Sequence, residues 1–428
     1  MLRRSGWFPL IALVLLASAC RMTEKPDYTR PLAGGESALI RVRSGERIPD
    51  PAVAFRQKED GLLEAIEMSL QWFDAPSSRN FFPFEDIATH EQARASLVAF
   101  RELLTTSLGP KEFRTDLWKR FRIYRSVGWD KRGTVLYTGY YAPEFKGSRT
   151  RTEEFTHPLY RRPADLVTDP ETGTPRGRMN ADGSVGPYPT REEIEESGML
   201  TGTELVWVED ELAAYIIHVN GSAKLDLDDG STIYVGYDGK TDREYTGLGT
   251  ALVEEGLVSK DKVGLPAVRD AWKRHPSKVR RLIRQNESYV FFTEYDGGSW
   301  PSGSLGVRVT ARGSLATDKK IYPRGGVVMV RTTAVTTSRG KTAFHRFMLD
   351  QDTGGAIRAP GRADIYMGTG KVAEVLAGGQ YAEGELFYFF LKPEFVAKYA
   401  ASATPEKSPE EAPEEAPEEA PEDIPEKD

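Results

Sequence analysis

Residues 351–368 read QDTGGAIRAPGRADIYMG. Two carboxylates in this stretch sit in different contexts. Asp352 precedes a pair of glycines, Gly354 and Gly355, and in a tight turn its carboxylate can accept hydrogen bonds from backbone N–H groups. Asp364 interrupts the strand-like run ADIYM, where alternation puts Ala363 and Ile365 on one face and Asp364 and Tyr366 on the other. In that register Asp364 either faces an open groove or is a polar edge residue. In a groove, a partly desolvated carboxyl could hold a proton for a leaving oxygen.

Outward from this stretch the chain is rich in short apolar runs broken by Gly, Pro and Asp. Upstream are VLYTGYY, ELVWV, AAYIIHV, STIYVGY and YVFF; around and beyond Asp364 are GVRV, VVMVR, FHRFML, ADIYM and ELFYFFL. All read as strands. Leu62, Leu63, Ile66, Leu70 and Phe73 form a helical stripe, and Leu97, Phe100, Leu103 and Leu104 form a second. Val263 to Leu282 marks a further helical interval within about 259–285. The expected architecture is mainly β with peripheral helices.

The two ends differ from this body. Met1 to Ala19 has Arg3 and Arg4 before an apolar stretch and then small residues, the pattern of a secretory signal. It ends at Cys20, the single cysteine, and resembles a bacterial lipoprotein processing site, so Cys20 is the expected lipidation point and no disulfide is expected. Residues 20–50 read as a tether. At the other end, residues 405–428 hold eleven acidic residues and two lysines, including three EEAP units, a composition that cannot build a core. That tail carries the whole net charge of −7 and more, leaving residues 20–404 formally neutral, which argues against a nucleic-acid binder.

Other chemistries find no support in the motifs. The five histidines are scattered, so no metal site is expected. Gly340-Lys341-Thr342 lacks the first glycine of a phosphate loop, and Gly368-Thr369-Gly370 lacks the third glycine of a dinucleotide loop. No Gly-x-Ser-x-Gly elbow is present. Carboxylates and hydroxyls remain.

Several motifs in order, YTGYYAPEFKGSRTR, PLYRRPADLV, YPTREEIE, ELVWVED, NESYVFFTE, GSLGVRVTARGSLATDKKIYP and DTGGAIRAPGRADIYMG, resemble the membrane-bound lytic murein transglycosylase A family over roughly Tyr137 to Lys392. The resemblance implies a double-psi β-barrel built from both ends of the chain, a second β domain inserted between them, and glycan in the cleft. The corresponding expected segments are 51–148 for the N-terminal helices and first part of the barrel, 149–293 for the insert, 294–397 for the rest of the barrel, and 398–428 for the tail. The family's three aspartates fall on Asp318, Asp352 and Asp364, with the catalytic acid on Asp364. Thr138 looks like groove wall, with Gly139 and Tyr140 beside it and Gly354 and Gly355 as supporting positions. Asn220-Gly-Ser-Ala-Lys224 departs from the family's usual Gln-Gly-Ser-Gly stretch.

The implied reaction cleaves the MurNAc-β-1,4-GlcNAc bond without water, cofactor or metal. Asp364 would protonate the glycosidic oxygen and then take the proton of the muramyl 6-hydroxyl, which closes onto the anomeric carbon to leave a 1,6-anhydromuramyl end. The implied partners are peptidoglycan strands and, through the lipid, a membrane; Arg21 after Cys20 resembles the sorting pattern for the periplasmic side of a Gram-negative outer membrane. Two alternatives stay open: a hydrolase with Asp352 or Asp318 as second carboxylate, and a non-catalytic glycan-binding lipoprotein.

Overall fold

The computed structural model describes residues 25–400 apart from 171, 260–263, 339 and 356. The signal segment, Cys20 and the acidic tail from residue 401 lie outside the described residues.

Six strands close into a barrel. In order around it they are Tyr381–Leu391, Val327–Thr336, Gly340–Asp352, Ser314–Ala316, Arg362–Thr369 and Val135–Ala142, and the last pairs back onto the first. Two pairs are parallel, Ser314–Ala316 with Gly340–Asp352 and Arg362–Thr369 with Val135–Ala142; the rest are antiparallel. This mixed closed barrel is the expected double-psi form. Closure leaves no free strand edge around the ring. Val330, Leu349, Ala363, Ile365 and Phe387 are among the residues that fill its apolar core. Helices Gly61–Asp74 and His90–Thr106 cover the outside. They are fastened by polar contacts as well as apolar ones: Gln351 Nε2 donates to Ala65 O at 2.7 Å, and Gln92 Nε2 to Leu391 O at 2.7 Å.

The middle of the chain forms a separate six-stranded sheet, Val290–Tyr295, Thr232–Lys240, Ser222–Leu227, Glu144–Ser148, Glu204–Val208 and His157–Tyr160, with a small three-stranded sheet beside it. Strand Glu144–Ser148 follows the barrel strand Val135–Ala142 after Pro143, so the chain crosses into this sheet immediately beyond YTGYY.

Three readings need correction. AAYIIHV is not a strand but lies in helix Glu211–Asn220, which Asp210 caps by accepting the Ala213 N–H at 2.8 Å and Gly221 ends in the left-handed region at φ +73. The run is apolar all round because the helix is buried between two core clusters, so its periodicity is hidden. GVRV is a loop, with Val307 O and the Val309 N–H bonded to Gly303 and Pro301, although both valines are buried. Within the segment read as a tether, Leu39–Arg41 pairs with Phe121–Ser126, and Ala38 and Leu39 are buried.

Candidate active site

Backbone register brings the candidate residues together. Asp364 pairs with Thr138 on one side and Ala316 on the other; Ala316 in turn pairs with Asp352, and Thr138 with Tyr381. Five residues therefore form one row across the barrel wall. Along the Arg362–Thr369 strand, Arg362, Asp364 and Tyr366 alternate with Ala363, Ile365 and Met367, and the latter three point into the core. The face opposite the core is the polar one.

Asp364 is largely enclosed, with 14% of its side chain exposed. Its Oδ1 accepts a hydrogen bond from Thr138 Oγ1 and lies 3.5 Å from Arg362 Nη2, which also donates to Thr138 Oγ1 at 3.0 Å. Among the described residues no donor reaches Oδ2. One oxygen is thus fixed and the other is available for proton transfer. Two residues along the same strands, the rings of Tyr140 and Tyr366 lie 5.1 Å apart. Burial and then the Asp352 carboxylate push the Tyr140 hydroxyl well above its usual range, so it stays protonated and faces Asp352 without a well-aligned hydrogen bond.

Asp352 is held differently. Its Oδ1 accepts the N–H groups of Ser304 and Thr353, each at 2.8 Å, while burial raises its carboxyl above the ordinary range. It stands two strands from Asp364, about 9–10 Å by strand spacing. Asp318 does not point at this row: its Oδ1 accepts the Lys320 N–H at 3.1 Å and its Oδ2 the Ala359 N–H at 3.0 Å. Gly139 is dictated by close approach, since a Cβ there would lie 2.8 Å from Ala377 Cα in helix Gly370–Gly379. Gly354 and Gly355 form the turn after Asp352, and the ring of Tyr245, from the middle of the chain, packs on Gly355. Burial, the Tyr215 hydroxyl and, less, the Asp364 carboxylate raise the Tyr245 hydroxyl. In the Asn220–Lys224 stretch, Asn220 Nδ2 bonds Ile216 O at 2.8 Å and Lys224 pairs with Asp226 at 3.2 Å.

Sequence reasoning missed Arg362, Tyr245 and a buried pair beneath the row, Lys319 with Asp350. Asp350 also accepts from Thr317 Oγ1 at 2.8 Å and Tyr388 Oη at 2.7 Å. Arg362 was within reach of the alternation that singled out Asp364. Tyr245 lies in a loop with no pattern of its own.

A closed double-psi barrel carrying an inserted β sheet, with a hydroxyl-held carboxylate on the barrel wall, defines the class. Residues 136–293 match the MltA specific insert domain and residues 313–389 match the 3D domain. The chain belongs to the membrane-bound lytic murein transglycosylase A family. It is 30% identical over 272 residues to the Escherichia coli K12 member, covering 63% of this chain and 67% of that one, and 30% identical over 257 residues to the Vibrio cholerae member, covering 59% and 64%. The aligned span is thus about two thirds of the length of these curated relatives. Among solved structures, the membrane-bound lytic murein transglycosylase of Agrobacterium tumefaciens superimposes with a TM-score of 0.65 at 26% identity, covering 81% of this chain and 96% of that one. E. coli MltA with bound chitohexaose gives 0.61 at 25% identity, covering 86% and 97%.

Proposed function

We propose that this chain is a peptidoglycan lytic transglycosylase that cleaves MurNAc-β-1,4-GlcNAc bonds and leaves 1,6-anhydromuramyl ends, with Asp364 as its acid and base. The observation that carries this reading is the unequal position of two carboxylates. Asp364 offers a free Oδ2 on the polar face, while Asp352 spends an oxygen on two backbone N–H groups. A hydrolase needs a second carboxylate about 5–10 Å from the first to attack or to activate water. Asp352 lies two strands away with its carboxylate engaged by the N–H groups of Ser304 and Thr353, which favours a reaction in which the substrate supplies its own nucleophile. Family membership and the chitohexaose held by the E. coli relative support a glycan as substrate.

In this mechanism Asp364 Oδ2 gives its proton to the leaving glycosidic oxygen, and Thr138 and Arg362 stabilise the carboxylate that results. The same oxygen then removes the proton of the muramyl 6-hydroxyl as it closes onto the anomeric carbon. Holding that hydroxyl near the reacting carbon replaces an activated water. Thr138, Gly139 and Tyr140 shape the wall beside Asp364, and the side chain of Tyr245 lies against the turn at Gly355. Removal of residues 1–19 and acylation of Cys20 would attach the enzyme to the periplasmic side of the outer membrane; the insert begins at Glu144 rather than at 149, because strand Glu144–Ser148 pairs within the inserted sheet. Mass analysis of products from purified sacculi tests the reading: anhydromuramyl ends support it, and reducing-end muramic acid would transfer the assignment to hydrolysis.

A further inference from the structure

Asp318 joins two loops of the barrel by accepting the N–H of Lys320 with one oxygen and that of Ala359 with the other. Ala359 sits in the left-handed region at φ +66, a conformation that a non-glycine residue keeps only when its surroundings hold it. The staple therefore fixes Lys320 and Arg358, the neighbour of Ala359, at one edge of the barrel. Arg358 Nε donates to Gly355 O at 3.1 Å, and Gly355 is the residue on which Tyr245 packs. This edge adjoins the turn that follows Asp352, which lies in the same barrel-wall row as Asp364.

A third cation comes from the inserted sheet. Lys240 ends strand Thr232–Lys240, five residues before Tyr245, whose side chain lies against Gly355; burial together with the positive charges of Arg358 and Lys320 lowers the Lys240 ammonium, and Glu244 acts in the opposite direction. Both Lys320 and Arg358 are exposed. Among the described residues none of the three cations makes an ion pair. Gathering like charges from two parts of the chain is unfavourable on its own, and an anion placed among them reverses the sign.

We propose that Lys240, Lys320 and Arg358 form a carboxylate-recognition subsite at the mouth of the Asp364 groove, reading the acidic substituent of a muramyl residue. The proposal rests on the transglycosylase reading above. A planar guanidinium matches a carboxylate, and two ammonium groups add charge without fixed geometry. The carboxylate is either the free lactyl group of bare muramic acid or a carboxylate of the attached stem peptide. Asp318, on this account, positions two of the three cations.

Binding without turnover separates the possibilities. Affinities of the Asp364→Asn protein, with and without Lys320→Gln and Arg358→Gln, would be measured for chitohexaose, a peptide-free muramyl glycan and the same glycan bearing stem peptides. The paired substitutions should weaken the acidic ligand that the subsite reads about tenfold and flatten its salt dependence, with chitohexaose unchanged within about twofold. Because the stem peptide ties up the lactyl carboxyl as an amide, loss confined to the peptide-free muramyl glycan assigns the lactyl carboxylate, loss confined to the peptide-bearing glycan assigns the peptide, and loss on both shows a subsite that takes either. Equal weakening of all three, or no weakening of the acidic two, overturns the subsite. Lys240→Gln is a separate variant, because that residue is half-buried; if it fails to fold, the exposed pair decides. Failure of the transglycosylase reading would appear elsewhere, as absence of anhydromuramyl product from the unsubstituted enzyme.

Discussion

Thr138 donates its hydroxyl to Asp364 across a parallel strand pair, and the register that makes the two residues neighbours also closes the barrel. Fold and chemistry meet at this contact. Thr138→Val keeps the shape and removes the donor, so steady-state turnover of glycan should fall roughly tenfold to a hundredfold, as for a hydrogen bond to a charged group. The melting temperature should hardly change. Thr138→Ser should restore most of the rate, and a Val variant with undiminished turnover would remove Thr138 from the mechanism.

Gly139→Ala tests the packing behind that contact. The new methyl would meet Ala377 Cα at 2.8 Å, a backbone atom with no easy escape. Overpacking of this kind costs about 1–3 kcal/mol. Denaturant unfolding should show the loss, together with reduced activity as helix Gly370–Gly379 is pushed from the strand. A variant as stable as its parent would mean that the helix yields freely.

Much of the barrel is legible in the sequence because its strands carry runs of β-branched or aromatic residues. VVMVR, FHRFML and ELFYFFL all become strands. AAYIIHV misleads because burial on all sides erases the helical period, and only its Asp210 cap and Gly221 stop remain as signals. At the site, Asp364 is visible through alternation, whereas Lys319 and Asp350 meet only through strand register between distant segments. No local pattern announces such a pair.

Lys319→Met would leave Asp350 without its cation at 0% exposure. Breaking one side of a buried pair typically costs about 3–5 kcal/mol, so urea unfolding should shift sharply. Adding Asp350→Asn should recover much of the loss, because the remaining charge disappears while Thr317 and Tyr388 keep an oxygen to bond. If the double variant is no better than the single, the ion pair is not the source of the destabilisation.

Acid should weaken the fold through two histidines. Burial holds His218 well below its usual range and His345 down to about 4. Both resist protonation when folded and accept it when unfolded near pH 6.5. Their stabilising contribution is therefore complete above about pH 6.5 and is lost as pH falls towards the folded values. Urea midpoints between pH 7.5 and 4.5 should decline, and His345→Leu should flatten the decline; an unchanged slope in that variant would exclude His345 as a contributor.

The decisive comparison is between Asp364→Asn and Asp352→Asn, assayed for anhydromuramyl product from purified sacculi alongside thermal melting. Asparagine at 352 retains the oxygen that Ser304 and Thr353 bond, so that variant should keep measurable activity. Asparagine at 364 preserves the hydrogen bond from Thr138 but cannot deliver or accept the proton, and product should fall by at least roughly 10²–10⁴-fold with the fold intact. Near-normal product from a well-folded Asp364→Asn enzyme would contradict the central assignment.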